Sequence, residues 1–194
     1  MGKQYNDPTV VKDTLRLMIS LKCNFKCWYC CNEQDQFNSL FQYHSVEEID
    51  FSGYRNFCLS GGEPFAHKEL LYRLISYIPE DRNVFIYTNG SLIEEEDLDI
   101  LKTFPHVKCL NITLHGVAML DKMLPEIENR FPVRFSFQDT LEEKMVEKYG
   151  NRLGNYKLWH MNYCYVPNED WVVLQEAPSF EKAFTWDGIL PLTN

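Results

Sequence analysis

Cysteine spacing is the feature of this chain that most directly predicts chemistry. Four of its seven cysteines lie between residues 23 and 31, at Cys23, Cys27, Cys30 and Cys31. Secreted disulfide frameworks spread an even number of cysteines along a short chain, so this crowding indicates a metal site in a reducing compartment. The first three have the spacing C-x-x-x-C-x-x-C, which lets one short loop bring three thiolates to one inorganic site. Thiolates suit an iron–sulfur cluster or zinc.

The two kinds of site make different demands on the loop. A structural zinc site normally closes with four protein ligands. Cys31 supplies a fourth thiol by count, but adjacent residues point in divergent directions, so Cys30 and Cys31 are poorly placed to share one small ion. No second C-x-x-C or histidine pair lies nearby either, so an iron–sulfur site is favoured over zinc. As to function, a non-catalytic zinc or iron–sulfur binding module stays open as the alternative to an enzyme. Cys58 and Cys109 are predicted to be small core residues, and Cys164 has no assigned role.

Strands and helices are predicted to alternate around this loop. Leu15, Leu17, Ile19 and Leu21 repeat with the period of two that predicts a strand directly before the cysteines. Further strands are predicted over residues 57–59, 84–88, 107–114 and 133–137, and helices over residues 67–78, 91–103 and 139–150. A helical stretch before residue 130 is expected to be broken at Pro125. Residues 156–165 and 171–174 are predicted to form a hairpin or two late strands around a turn at residues 167–170.

Capping boxes are predicted to begin helices at Ser45 and Ser91, each with a glutamate three residues later, and Asp139 with Glu142 is expected to cap the last helix. Alternating strands and helices imply a parallel sheet. The chain has 194 residues, fewer than the ~250 of a complete eight-unit barrel, so we expect an α/β fold of the partial (β/α)6-type TIM barrel with a C-terminal strand pair. Its predicted parts are an N-terminal arm at residues 1–14, a core at residues 15–155 and substrate-proximal strands and a tail at residues 156–194.

Composition excludes several classes of protein. A hydrophobic fraction of 45% with 14% aromatic residues argues against disorder, and no long uncharged apolar run predicts a membrane span. The net charge of −9 disfavours duplex nucleic acid as a partner, because neutralising phosphates requires clustered basic residues. The first twenty residues lack the uninterrupted apolar region of a secretory signal. We therefore expect a cytoplasmic protein without membrane contacts.

Four short motifs together resemble one known family. The segment Cys23-Asn24-Phe25-Lys26-Cys27-Trp28-Tyr29-Cys30 resembles the signature loop of the radical S-adenosylmethionine superfamily, including an aromatic residue before the last cysteine. Gly61-Gly62-Glu63-Pro64 is similar to the glycine-rich motif that follows the family's second strand. Thr88-Asn89-Gly90 and Leu114-His115-Gly116 resemble its third and fourth strand ends. The similarity extends from Leu15 to Gly116.

The resemblance implies both cofactors and reaction. A 4Fe-4S cluster would be held by Cys23, Cys27 and Cys30, with its fourth iron open to the amino and carboxylate groups of S-adenosylmethionine. An electron donor such as flavodoxin or ferredoxin would reduce the cluster. Reductive cleavage of S-adenosylmethionine would give methionine and a 5′-deoxyadenosyl radical, which abstracts hydrogen from a substrate. The implied class is a radical S-adenosylmethionine enzyme of oxidoreductase or lyase type.

Roles carry over to particular residues. Tyr29 would lie by the adenine, Gly61 and Gly62 would let the backbone approach the cofactor, and Glu63, followed by Pro64, would lie near the methionine ammonium. Further candidate cofactor-binding residues are polar residues at strand ends or on the polar faces of strands: Thr88, Asn89, Asn111, Thr113, His115, Ser136 and Gln138. Their alternatives are solvent exposure, turn chemistry and, for His115, hydrogen bonding within the core. The family's glycine-rich motif on the fifth strand is not evident after Phe131.

The substrate is not specified by these motifs. An incomplete barrel leaves a lateral opening, which in the superfamily suits a protein substrate, as in the small activases that place a glycyl radical on a partner, or a compact small molecule such as a nucleoside precursor, as in the carboxy-deazaguanine synthases. The segment from Tyr156 onward is expected to choose between peptide or protein and small-molecule substrates. Its aromatic residues, including Trp159 and His160, either line the opening or pack in the core.

Overall fold

Eight parallel strands form one sheet in the computed structural model, which describes residues 12–30, 32, 42–160 and 169–174. The strands are β1 (Thr14–Met18), β2 (Gln42–His44), β3 (Asn56–Ser60), β4 (Asn83–Thr88), β5 (Val107–Leu114), β6 (Val133–Gln138), β7 (Lys157–Trp159) and β8 (Glu169–Leu174). Their order across the sheet is β2-β8-β1-β3-β4-β5-β6-β7. The described residues contain no pairing between the edge strands β2 and β7, so the barrel stays open. The predicted partial barrel is confirmed.

The strands form where apolar residues recur with the period of the sheet. All five residues of β1 are buried, as expected for a strand covered on both faces. On β5, Leu110, Ile112 and Leu114 are buried while Asn111 and Thr113 are half-buried. This alternation puts the apolar side chains under the helices and the polar side chains into the interior of the open barrel. The predicted polar face of β5 is confirmed.

The described residues contain four α-helices between the strands: α1 (Lys68–Tyr77), α2 (Glu95–Lys102), α3 (Ile127–Arg130) and α4 (Glu142–Tyr149). Leu70, Leu71, Leu74 and Ile75 recur on one face of α1 and are all buried. Leu71 and Leu74 are completely buried, and truncating either to alanine would cost about 2–5 kcal/mol. This helix layer holds the outer face of the sheet, so the carboxyl ends of the strands share one fixed edge.

Two predicted helix caps differ from the observed ones. Helix α2 begins after Glu94, whose side chain and that of Asp97 form the capping box. Ser91 does not cap this helix, because its hydroxyl donates to Asn89 in the loop after β4. The last helix is preceded by a 3₁₀ turn over Asp139–Leu141, so Leu141 takes the position before α4. The capping box at Ser45 is present, on a 3₁₀ turn over Val46–Glu48.

The two late strands lie far apart and form no hairpin. β7 extends the sheet beyond β6, whereas β8 is inserted between β1 and β2 near the opposite edge. Glu169 and Asp170, predicted as turn residues, begin β8 instead, since Arg16 and Lys12 compensate their carboxylates. Much of the predicted arm, Cys31, Cys164 and residues 161–168 lie outside the described residues. Of the helices described, none has the length and apolarity that crossing a membrane requires.

Candidate cofactor and substrate cavity

A cavity of about 340 Å³ lies in the open barrel, beside the loops that follow β1, β3, β4 and β5. Its volume falls at the lower end of the range typical of small-molecule sites. Most of the predicted site residues line it: Cys23, Cys27, Tyr29, Cys30, Gly61, Gly62, Thr88, Asn89, Asn111, Thr113, His115 and Ser136. Residues that are scattered over more than a hundred positions of sequence therefore meet at one place, as expected for the carboxyl edge of a parallel sheet.

The cysteine loop follows β1 directly and turns back on itself. The amide of Cys30 donates to the carbonyl of Cys27 at 3.0 Å, which brings the second and third cysteines to one turn. The Cys23 sulfur accepts from the Phe25 amide at 3.3 Å and from Asn89 Nδ2 at 3.6 Å. Burial raises the pKa of the Cys23 thiol to about 12, against the lowering effect of the Phe25 hydrogen bond. A positive partner is thus needed to make this sulfur a thiolate at neutral pH.

Gly61 and Gly62 pack directly against the backbone at the start of the cysteine loop. Gly61 has a φ of 128°, a conformation that residues with a Cβ rarely adopt, and a Cβ there would lie 2.2 Å from the Ser20 carbonyl oxygen. A Cβ on Gly62 would lie 1.7 Å from the Lys22 carbonyl oxygen. The Gly62 amide donates to Ser20 at 2.5 Å and the Glu63 amide donates to Lys22 at 3.1 Å. The glycines therefore position the start of the cysteine loop as well as lining the cavity.

Glu63 is buried behind the glycines and does not line the cavity. Its carboxylate accepts from the Thr88 hydroxyl at 2.7 Å, the Asn89 amide at 2.7 Å and the Phe65 amide at 3.1 Å. Burial raises the pKa of Glu63 to about 7, and these three hydrogen bonds oppose the shift. The carboxylate therefore ties the end of β3 to the end of β4. Its predicted contact with a methionine ammonium stays a prediction.

A second set of hydrogen bonds ties the cysteine loop to the loop after β4. Asn89 Nδ2 donates to Asn24 Oδ1 at 2.8 Å, and Asn24 Nδ2 donates to the Ser91 hydroxyl at 2.8 Å. Ser91 in turn donates to Asn89 Oδ1 through both its amide and its hydroxyl. Asn24 is only 4% exposed. The hydrogen bonds among Asn24, Asn89 and Ser91 hold Cys23 and Asn89 in fixed relative positions.

Tyr29 and His115 join the cysteine loop to the end of β5. The Tyr29 hydroxyl lies 2.7 Å from His115 Nδ1, and the Cys27 sulfur lies 3.7 Å from the same nitrogen. Burial lowers the pKa of His115 to about 4, so its ring is neutral at neutral pH. Burial also raises the pKa of Tyr29, with the nearby Cys27 adding to the effect. Tyr29 further contacts the Trp159 ring, with centroids 5.2 Å apart.

The interior wall comes from β5 and β6. Thr113 and Ser136 face each other with their hydroxyl oxygens 3.1 Å apart, and Asn111 lines the cavity below them. Gln138 and Pro64, both predicted to bind cofactor, do not line the cavity. Gln138 is 8% exposed at the end of β6, and Pro64 begins a buried 3₁₀ turn over Pro64–His67.

Several lining residues were missing from the predicted site. Arg16, Tyr87, Arg134, Lys157, Trp159 and Trp171 line the cavity as well. For Arg134 the signal was the strand alternation itself, since it shares the polar face of β6 with Ser136. Trp159 was weighed as either lining or core, and it lines the cavity. Arg16 carried no local signal, because its partner Glu169 lies 153 residues away in sequence.

Arg16 forms the floor of the cavity with a carboxylate beneath it. Arg16 Nε and Nη2 donate to the two oxygens of Glu169 at 2.7 and 3.0 Å. The guanidinium carbon lies 4.4 Å from the centroid of the Tyr87 ring and 5.3 Å from that of Trp171. Burial alone would lower the pKa of Arg16, but the Glu169 charge and smaller contributions from Cys58 and Tyr87 raise it overall. The pair joins β1 to β8.

The donor set of the cysteine loop can be compared with what a zinc ion and a cluster each require. Among the described residues, which leave out Cys31, no three or more His, Cys, Asp or Glu side chains are grouped closely enough to hold one metal ion. A zinc ion would require sulfurs within about 2.3 Å of one point. Cys23, Cys27 and Cys30 nevertheless line one cavity, and Cys23 carries two donors of the kind that stabilise cluster sulfur ligands. The chemistry of these three thiols fits the ligands of an iron–sulfur cluster.

Comparison with known proteins agrees with this geometry. Residues 17–142 match the Radical SAM superfamily, so the chain belongs to that superfamily. The predicted family is thus confirmed, as are the expected superfamily cofactors, a 4Fe-4S cluster and S-adenosylmethionine. Two solved structures of SuiB from Streptococcus suis, one of them bound to S-adenosylmethionine, share the fold. Their TM-scores are 0.51 and 0.52 at 13% identity, and they match 84% and 81% of this chain and 48% and 42% of SuiB.

Curated relatives share part of their length with this chain. GTP 3′,8-cyclase from Campylobacter lari is 32% identical over 117 residues, which cover 54% of this chain and 35% of the relative. GTP 3′,8-cyclase 2 from Pseudomonas aeruginosa is 28% identical over 138 residues, or 66% of this chain and 38% of the relative. The chain thus spans about a third of the length of these relatives.

Proposed function

We propose that this chain is a radical S-adenosylmethionine enzyme in which Cys23, Cys27 and Cys30 hold a 4Fe-4S cluster. When bound and reduced, the cluster would supply one electron to break the sulfonium C–S bond of S-adenosylmethionine, giving methionine and a 5′-deoxyadenosyl radical that would take a hydrogen atom from the substrate. The electron would come from a small donor such as flavodoxin or ferredoxin. The cysteine distribution supports a reducing, cytoplasmic setting.

The chain's own residues position and shield this chemistry. Gly61 and Gly62 position the cysteine loop at the end of the sheet, because the backbone of the loop packs directly against them. The rings of Tyr29, His115 and Trp159 lie together beside that loop, an arrangement suited to contacting an adenine and to excluding water. Asn111, Thr113 and Ser136 present hydrogen-bonding groups in the interior, suited to ribose and substrate. A neutral His115 accepts or donates one hydrogen bond without bringing a charge beside the cysteines.

One observation carries the proposal. The three cysteines of the signature spacing line the same cavity as Gly61, Gly62, Thr88 and Asn89, in a chain whose residues 17–142 match the superfamily. A binding module would need the cysteines but would have no use for a cavity of small-molecule size behind them. The match to GTP 3′,8-cyclases covers too little of those enzymes to carry their substrate to this chain.

Anaerobic reconstitution tests the proposal. Protein loaded with iron and sulfide, given S-adenosylmethionine and dithionite, is expected to form 5′-deoxyadenosine, detected by liquid chromatography and mass spectrometry. Cys27→Ala should abolish product and the cluster's visible absorption. Cys109→Ala is the matched control, since its thiol does not line the cavity, and should retain both.

The binding-module alternative gives different results. A colourless protein that copurifies with one zinc per chain and forms no 5′-deoxyadenosine would support the module. Unchanged product formation in Cys27→Ala would refute the assignment of the ligands even if the wild-type chain were active.

A further inference from the structure

The charge of the cavity is opposite to that of the chain. The sequence contains 28 acidic and 19 basic residues, for a net charge of −9. Among the described residues that line the cavity there is no aspartate or glutamate, whereas Arg16, Arg134 and Lys157 all line it. Since acidic residues outnumber basic ones overall, a cavity whose described lining has arginine and lysine but no carboxylate is a local feature that needs its own explanation.

The three cations differ in how their charge is compensated. Arg16 is held by both oxygens of Glu169 and is 7% exposed. Arg134 and Lys157 are exposed and form no ion pair with any residue in the described ranges. The Arg16 charge is therefore balanced within the protein, while the other two charges are directed at a cavity that offers them no carboxylate.

Strand register places these two cations away from the cysteine loop. Arg134 on β6 pairs with Asn111 on β5, four residues before His115, which is about 13 Å along the strand. Lys157 on β7 pairs with Ser136, which in turn pairs with Thr113. The main chain of both cations thus lies below the level at which His115 meets Cys27 and Tyr29. They are placed to contact a molecule in the interior rather than the inorganic group at the loop.

The neighbouring groups also offer donors. Trp159 Nε1 is buried and has no hydrogen-bond partner among the described residues. It belongs to β7, two residues after Lys157, so the two side chains share one face of that strand. Ser136 and Asn111 add a hydroxyl and an amide on the same wall. A ligand rich in acceptor oxygens would satisfy this set, whereas a cationic or purely apolar ligand would leave it unsatisfied.

We propose that the cavity binds a small-molecule substrate that carries an oxyanion, a phosphate or a carboxylate, and that Arg134 and Lys157 bind this group. The inference rests on the proposed function, because it takes this cavity to be the substrate site. Arginine presents a fork of N–H donors that matches two oxygens of an oxyanion, and lysine adds a compact charge.

Calorimetric titration of anions into the reconstituted protein, already saturated with S-adenosylmethionine, tests this proposal. Pyrophosphate and succinate are titrated separately at constant ionic strength, so that the two arms distinguish phosphate from carboxylate recognition. We expect saturable binding of at least one. Arg134→Gln and Lys157→Gln should each weaken it at least about tenfold, the effect of losing one charge-assisted hydrogen bond. Lys108→Gln is the matched control and should leave the affinity unchanged, because Lys108 is exposed on the other face of β5 and contacts Pro105.

Three results would overturn the proposal. The first is no saturable binding of either anion, and the second is equal weakening by Lys108→Gln. The third is that Arg134→Gln and Lys157→Gln weaken S-adenosylmethionine binding by the same factor as anion binding. That result would mean that the two cations bind the carboxylate of the cofactor and not the substrate. Failure of the proposed function is a separate result, namely no 5′-deoxyadenosine from the wild-type chain. Titration of the protein without cluster shows whether anion binding persists in that case.

Discussion

The floor and the wall of the cavity place cations in opposite ways. At the floor, Arg16 is buried between the Tyr87 and Trp171 rings and neutralised by Glu169, so its charge joins strand β1 to strand β8. On the wall, Arg134 and Lys157 are exposed and have no carboxylate partner among the described residues. Residue type and location are therefore not enough to decide whether a cation in a cavity is structural or available to bind a ligand. The presence of a counter-charge separates a structural cation from one available to a ligand.

The largest expected effect is at the floor. Glu169→Gln keeps the side-chain size but leaves the buried Arg16 guanidinium without its carboxylate. We expect the free energy of unfolding to fall by about 3–5 kcal/mol, the usual cost of removing one partner of a buried ion pair. Urea denaturation followed by circular dichroism measures it. Asp170→Asn is the control, since its pair with Lys12 is part-exposed and should contribute less than about 1 kcal/mol.

A double variant separates the pair's two possible roles. Arg16→Met combined with Glu169→Leu removes both charges at once and should recover most of the lost stability, because apolar replacements of buried pairs are often neutral. If the floor is structural, this variant should bind the same anion as the wild type. Loss of anion binding in a stable double variant would move Arg16 into the group formed by Arg134 and Lys157.

Glu63 provides a buried carboxylate without a cation, against which Glu169 can be compared. Burial raises the pKa of Glu63 from 4.5 to about 7, so the folded state favours the protonated form. The stability that protonated Glu63 contributes to the free energy of unfolding is therefore fully present below pH 4.5. About 3 kcal/mol of it is lost as the pH rises to about 7. Unfolding free energies measured between pH 4.5 and 7.5 without cofactors should fall more steeply with pH in the wild type than in Glu63→Gln. Parallel curves would contradict this.

The aromatic ring over Arg16 should have a smaller effect. The Arg16 guanidinium carbon lies 4.4 Å from the Tyr87 centroid, within the range of a cation–π contact. Tyr87→Leu is expected to cost about 1–2 kcal/mol in unfolding free energy, while Tyr87→Phe keeps the ring and should cost less than half of that. Equal losses in the two variants would show that the hydroxyl, and not the ring face, supports the floor.

Local patterns predicted part of the wall, namely Asn111, Thr113 and Ser136, but not its cations and not the floor. The alternation of Leu110, Asn111 and Ile112 predicted which face of β5 is polar, and the cysteine and glycine motifs predicted the functional loops after β1 and β3. Those features depend on residues close in sequence or on a regular repeat. The register of β5 and β6, which pairs Asn111 with Arg134, comes from the structure and not from these patterns.

The floor depends on contacts that sequence patterns do not encode. Glu169 follows two turn-forming residues, and its acidic neighbour Asp170 strengthens the prediction of a turn. Only the distant Arg16 and Lys12 make these carboxylates acceptable at the start of β8. A strand inserted between β1 and β2 from the far end of the chain likewise has no local signature, since its partners are set by topology. For the same reason the hairpin alternative and the turn at Glu169 and Asp170 were wrong, whereas two separate late strands, the other alternative, are observed.

The smallest expected effect is on the stability of the wall. Arg134 and Lys157 are exposed and make no ion pair with a described residue, so Arg134→Gln and Lys157→Gln should each change the unfolding free energy by no more than about 0.5 kcal/mol. Urea denaturation beside Lys108→Gln measures this. A loss above ~2 kcal/mol would mean that the wall cations hold the sheet together as Arg16 does. Near-zero stability changes with a tenfold loss of anion affinity would instead separate the binding cations from the structural one.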